Sequence, residues 1–137
     1  MQDRWKRARV YCACDSGAEL TQCCQPILDG ARALTAQALM RSRYTAFTQR
    51  NATYLLYSWH PDTRPQTLDF DPAQRWLGLK IKHTEGGAAV DEQGIVCFAA
   101  RYKIAGRGAR LEECSRFVRL ATAGDDAERW VYVGSVD

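Results

Sequence analysis

Four of the chain's six cysteines lie within thirteen residues, in "YCACDSGAELTQCC" (11–24), as Cys12-x-Cys14 and, eight residues later, the vicinal pair Cys23-Cys24. A segment this short and polar buries too little apolar surface to hold a shape unaided, so the sulfurs must order it. Disulfides, a redox site and a metal cage compete for them. Bridging vicinal cysteines forces strained geometry, and disulfides are rare in the reducing compartment expected for this chain. A redox site more often shows C-x-x-C beside a βαβ pattern, which this sequence does not have. Four thiolates suit zinc, which takes a closed tetrahedron of sulfurs at about 2.3 Å in structural sites. Such an ion is structural, because no coordination position stays open for water or substrate. Asp15, Ser16 and Gly17 supply the intervening turn: glycine permits positive φ, and Asp or Ser can bond nearby backbone N–H groups. "AELTQCC" then forms one helical turn, with Leu20 packing the knuckle onto the rest of the chain.

At 137 residues the chain suits one compact core. No apolar run is long enough to span a membrane, and the basic start "MQDRWKRARV" lacks the apolar stretch of a secretory signal. Cytoplasmic residence is therefore expected. Arg4, Lys6, Arg7 and Arg9 read as a solvated arm, and a net charge of only +3 argues against nucleic acid as a partner.

After Pro26, "ILDGAR" reads as a turn-rich linker. Thr35 then caps a helix over 35–48, whose core stripe is Ala36, Leu39, Met40, Tyr44 and Phe47, with Arg43 on its border. Asn51 caps a shorter helix, "ATYLLYSW", halted at His60-Pro61. From Trp76 the period becomes two. "WLGLKIKHTE" alternates Leu77, Leu79 and Ile81 against Gly78, Lys80 and Lys82. "GIVCFAARYKIA" sets Val96, Phe98, Ala100, Tyr102 and Ile104 against Cys97, Arg101 and Lys103. "ARLEECSRFVRL" and "ERWVYVGSV" follow, with turns at "EGG", "AGRG" and "AGDD". The expected class is α+β: a zinc knuckle, then helices packed on a curved antiparallel sheet, leaving a cone-shaped cavity. The expected division is 1–30 for arm and knuckle and 31–137 for the α+β domain.

"CACDSGAELTQCC" resembles the SEC-C motif, the zinc knuckle that ends the SecA preprotein-translocase ATPase and recurs in other bacterial proteins. Ala13 and Asp15 replace its Pro and Gly, and Ala18, Glu19, Thr21 and Gln22 replace its usual lysines, while the ligand spacing is kept. "ALMRSRYTAF", "TYLLYSWHPDTRP", "WLGL" and "ECSRF" are similar to the bacterial YchJ family. That resemblance implies a SEC-C knuckle ahead of a nuclear-transport-factor-2-like (cystatin-like) domain. The family's "ERSRF" stands here as Glu113-Cys114-Ser115-Arg116-Phe117.

Strand alternation puts Glu113 and Ser115 on one face and Cys114 and Arg116 on the other, so both faces mix polar and apolar residues. That mixture suggests a pocket with a few directed polar groups, built from Arg43, Trp59, His60, Tyr102, Glu113 and Arg116. Arginine there would favour a small anionic ligand. The plainer account makes the aromatics core residues, His60 a helix cap, and Glu113 the partner of Arg43 or Arg101. No G-x-S-x-G, H-E-x-x-H or phosphate loop is present, so no catalytic residue is assigned and an enzyme is not the leading expectation. Cys97 and Cys114 read as reduced core thiols able to face each other across a turn at Ala105-Gly106. The leading expectation is a non-enzymatic adaptor whose knuckle docks on a protein partner, with a pocket-borne ligand binder or enzyme as the alternative. The uncovered sheet face makes a dimer plausible.

Overall fold

The computed structural model describes residues 9–121 and 128–136. The basic residues Arg4, Lys6 and Arg7 and the expected turn at 123–126 lie outside the described residues. A single 3-10 turn, Leu20–Gln22, leads into a short helix α1 (Cys24–Leu28). Pro26 sits in its first turn, where a missing N–H costs nothing, so helix takes in Ile27 and Leu28, the first third of the expected linker. Helix α2 (Ala36–Thr48) starts where Thr35 Oγ1 accepts from Ala38 N at 3.0 Å. Helix α3 (Ala52–Tyr57) starts where Asn51 Oδ1 accepts from Tyr54 N at 3.0 Å. Both caps stand where side-chain chemistry demanded them.

Four strands follow as an antiparallel meander in the order β1-β2-β3-β4: Gln74–Gly86, Gln93–Ile104, Arg107–Ala121 and Glu128–Ser135. The β2–β3 turn is Ala105-Gly106, both at positive φ (52° and 80°), as a two-residue hairpin turn of the primed kind requires. The "EGG" turn carries Gly87 at φ 80°; its carbonyl accepts from Ala36 N at 3.0 Å, and a Cβ there would stand 2.8 Å from Ala36 Cβ. Glycine thus lets the turn press against the start of α2.

Leu39, Met40, Tyr44 and Ala46 of α2 pack on Leu79, Val96, Phe98, Ala100 and Phe117. The β1 alternation departs from expectation. A bulge between Trp76 and Gly78 makes Leu77 an extra residue, left 44% exposed. Trp76 and Leu79 thereby come into phase on the core face, although three residues apart. Cys97 and Cys114 also depart from it. They are directly opposed on β2 and β3, half-buried on the face away from the helices, and joined as a disulfide. The hairpin turn was foreseen; the reduced core thiols were not observed.

Candidate metal centre and cavity

The 12–24 segment folds back on itself through backbone bonds from Cys12 N to Ala18 O (2.9 Å), Leu20 N to Val10 O (2.8 Å) and Cys23 N to Leu20 O (3.1 Å). Asp15 and Gly17 both adopt positive φ (61° and 88°), which reverses the chain within four residues. Ser16 Oγ accepts from Ala18 N at 3.2 Å and lies 3.1 Å from Cys23 Sγ. The four Sγ atoms of Cys12, Cys14, Cys23 and Cys24 consequently lie within 4.8 Å of one another. Cys14 to Cys23 is 3.6 Å and Cys23 to Cys24 is 3.9 Å. A tetrahedron with metal–sulfur distances of about 2.3 Å has edges of roughly 3.8 Å, so the donor set and its spacing fit a four-thiolate ion. The four cysteines could hold a metal. Within the bare cluster, a hydrogen bond from Cys24 pulls the Cys14 thiol down to about 4 and pushes Cys24 up. Burial pushes Cys23 up.

This centre is bound to the body of the molecule. Cys12, Cys14 and Cys24 are buried in the same core as Leu39 and Tyr44, and Leu20 packs against that core. Cys12 Sγ lies 3.5 Å from Thr45 Oγ1 of α2. Arg41 Nη1 donates to Cys14 O at 2.7 Å, bringing one cation to an anionic cluster. Asp15 Oδ2 accepts from Leu79 N at 2.9 Å, so the turn also caps a donor of edge strand β1. The last contact was not legible, because nothing local links positions 64 residues apart.

Between α2 and the sheet lies a cavity of about 230 Å³. Its wall is mostly apolar, including Met40, Tyr44, Trp76 and Phe98; Arg43, Trp59 and Glu113 also line it. Arg43 is 3% exposed. Its Nη1 donates to Leu55 O at 2.8 Å and Ser58 Oγ at 2.6 Å. Its guanidinium lies 4.9 Å from the Trp59 ring centroid and 4.5 Å from that of Tyr132. Burial lowers Arg43 to about 10. Among the described residues no carboxylate lies within ion-pair distance of it, so the expected Arg43–Glu113 pair is not formed. Glu113 Oε2 instead accepts from Ser115 Oγ at 2.6 Å and from Tyr132 OH at 3.4 Å. Trp59 Nε1 is buried without an acceptor among the described residues.

The other candidates stand apart. Tyr102 packs at a tilt of 55° against Trp76, ring centroids 5.3 Å apart, outside the cavity wall. His60 N donates to Tyr132 O at 2.8 Å and its Nδ1 accepts from Asp62 N at 3.0 Å, so it ties the end of α3 to β4. Arg116 is exposed on the opposite face of the sheet. Sequence reasoning missed Tyr132 and Ser58; the alternation Trp130/Tyr132 in β4 was the available signal for the first.

Burial raises three tyrosines here: Tyr44 to about 12, and Tyr54 and Tyr132 upward. A phenol raised in the folded state stabilises fully below its unfolded value near 10, and that contribution is lost as pH climbs through the folded value. The fold is therefore expected to weaken between about pH 10 and pH 12, with phenolate absorbance rising in step with loss of tertiary signal. Free titration of all six tyrosines near pH 10 with the fold intact would contradict this.

Residues 35–135 match the family model described as "YchJ, middle NTF2-like domain". A UPF0225 protein of Chromobacterium violaceum is 43% identical, with 96% of each chain covered. Another, from Streptomyces coelicolor, is 48% identical over 88% of this chain and 90% of its own. A crystal structure of a SEC-C motif containing protein from Psychrobacter arcticus matches with a TM-score of 0.75 and 25% identity, covering 89% of this chain and 79% of that one. The solution structure of a SEC-C motif containing protein from Rhodopseudomonas palustris matches with a TM-score of 0.74 and 28% identity, covering 92% and 98%. No helix among the described residues is long and apolar enough to cross a membrane.

Proposed function

Because the chain belongs to the YchJ (UPF0225) family, we propose that it is a zinc protein whose ion clamps the knuckle onto α2, leaving the cavity as a small-ligand site. The observation that carries the metal is the sulfur spacing: 3.6 and 3.9 Å between neighbours, with all four atoms within 4.8 Å. Zinc suits an all-thiolate, closed, redox-inert site better than the harder cations, which prefer oxygen. Its role there is to supply order rather than reactivity. The test is elemental analysis of the purified, reduced chain, which should give one zinc per chain; none would end the proposal.

The cavity reading rests on Arg43. A buried guanidinium with no ion-paired carboxylate, beside an indole N–H with no acceptor among the described residues, presents donors in a mostly apolar space that Glu113 also lines. The matching ligand is a small apolar acid, its carboxylate facing Arg43 and Trp59 and its body against Trp76 and Phe98. The adaptor reading keeps one observation in its favour. Val10 and Tyr11, beside the knuckle, are 63% and 57% exposed. Against it, the buried cysteines face inward to α2, so the metal's order is spent on internal packing.

A further inference from the structure

The face of the sheet turned away from the helices concentrates positive charge that the whole-chain value conceals. The β1–β2–β3 register sets Arg75 directly opposite Lys103, and Arg101 directly opposite Arg110. Lys80 and Arg116 project from the same face, since Leu79, Phe98 and Phe117 occupy the core side. Lys82, at the second β1 bulge, shares Glu112 with Arg110, at 2.5 and 3.2 Å. These seven cations are opposed on or beside the face by Glu85, Glu112 and, from the knuckle turn, Asp15. The face is thus more positive than the entire chain at +3, and the rest of the molecule is net negative.

Like charges directly opposed across strands destabilise a sheet, yet two such pairs stand side by side here. Among the described residues, Arg75, Lys80, Arg101, Lys103 and Arg116 form no ion pair. At the centre, Gly78 and Ala99 leave a cleft of about 410 Å³ walled by Lys80, Arg101 and Arg110, with Asp15 at its edge. Arg101 Nη2 stands 2.9 Å from where a Gly78 Cβ would be, so the absent side chain makes room for the guanidinium.

We propose that this face binds the phosphate backbone of nucleic acid, without reading sequence. Charge complementarity singles out the occupant: cations spread over three strands match a run of phosphates better than one small anion. A lipid surface would call for apolar side chains to insert, and beside the cations stand only a few, such as the bulged Leu77 and the half-buried Ile95 opposite Arg116, among the described residues. Base stacking is not part of the site, because the aromatic residues of these strands, Trp76, Phe98, Tyr102 and Phe117, lie on the core side. Net charge argued against nucleic acid; its segregation by strand alternation argues for it. This site is independent of the cavity and its ligand.

The test is fluorescence anisotropy of a labelled oligodeoxythymidine of about 20 nucleotides, titrated with the full chain. Neutralising about four phosphates should weaken binding roughly fifty-fold as salt rises from about 50 to about 200 mM. Lys80→Ala/Arg101→Ala/Arg110→Ala should lose at least about tenfold in affinity while its melting temperature holds or rises, since like-charge repulsion is relieved. Arg110→Gln alone, as the milder change, should lose about threefold or more. No binding at low salt, or wild-type affinity in these variants, would overturn the proposal. So would loss of all binding on replacing only Arg4, Lys6, Arg7 and Arg9, or capture by phosphatidylserine vesicles without any by the oligonucleotide.

Discussion

Replacing Cys14 with serine should remove the bound zinc and lower the melting temperature by roughly 10–20 °C. Cys14 is fully buried and sits among all three other sulfurs, so no exposed residue can substitute for it. Structural zinc in isolated knuckles contributes on the order of 10 kcal/mol of apparent binding free energy, nearly all of it expressed as folding. Here part of that order is also supplied by Cys12, Cys24 and Leu20 packed in the common core and by Asp15 on Leu79, so about 3–5 kcal/mol is the expected loss. A strong chelator at elevated temperature should reproduce the shift in the wild type and produce none in Cys14→Ser. The sheet should survive, because the core between α2, Phe98 and Phe117 does not pass through the metal. Calorimetry with and without chelator measures both terms. Equal melting temperatures for wild type and variant would mean that the cysteines are held by packing alone.

Arg43→Met should separate stability from binding. The wild-type guanidinium is buried without a contact ion pair among the described residues, so the charge of Glu113 offsets its desolvation only in part, and methionine fills a similar volume without the charge. Leu55 O keeps a donor in Ser58 Oγ at 3.2 Å, so the backbone is not stranded. The variant is expected to melt within a few degrees of wild type, while Arg43→Ala, which leaves a void beneath Trp59 and Tyr132, loses about 2–4 kcal/mol. Against a panel of small aromatic and aliphatic carboxylic acids, wild type should gain melting temperature. Arg43→Met should lose at least about tenfold in affinity for any acid that stabilises wild type. A panel with no stabilising member, or an undiminished response in Arg43→Met, would remove the cavity from consideration as an acid-binding site.

The helices were legible because Thr35 and Asn51 carry their own capping chemistry and because α2 repeats its apolar residues at a helical interval. The cysteine cluster was legible for a related reason, since four soft donors in thirteen residues have few other uses. What escaped depended on register. The bulge at Leu77 inserts one residue and moves Trp76 onto the core face, which alternation counted from Leu77 puts outside. Glu113 and Arg116 were both assigned to one pocket although three positions of a strand set them on opposite faces. Cys97 and Cys114 were placed across a hairpin correctly, but strand positions that suit small buried hydrophobes read as reduced core thiols, where their direct apposition makes a disulfide. The cationic face was invisible for the same reason, because net charge sums what the pleat separates.

X-ray absorption at the zinc edge interrogates the four sulfurs at the start of the chain directly. The reduced, purified protein should show one zinc per chain with four sulfur neighbours at about 2.3 Å and no lighter atom in the first shell. Substoichiometric zinc, or oxygen and nitrogen neighbours in place of sulfur, would contradict it.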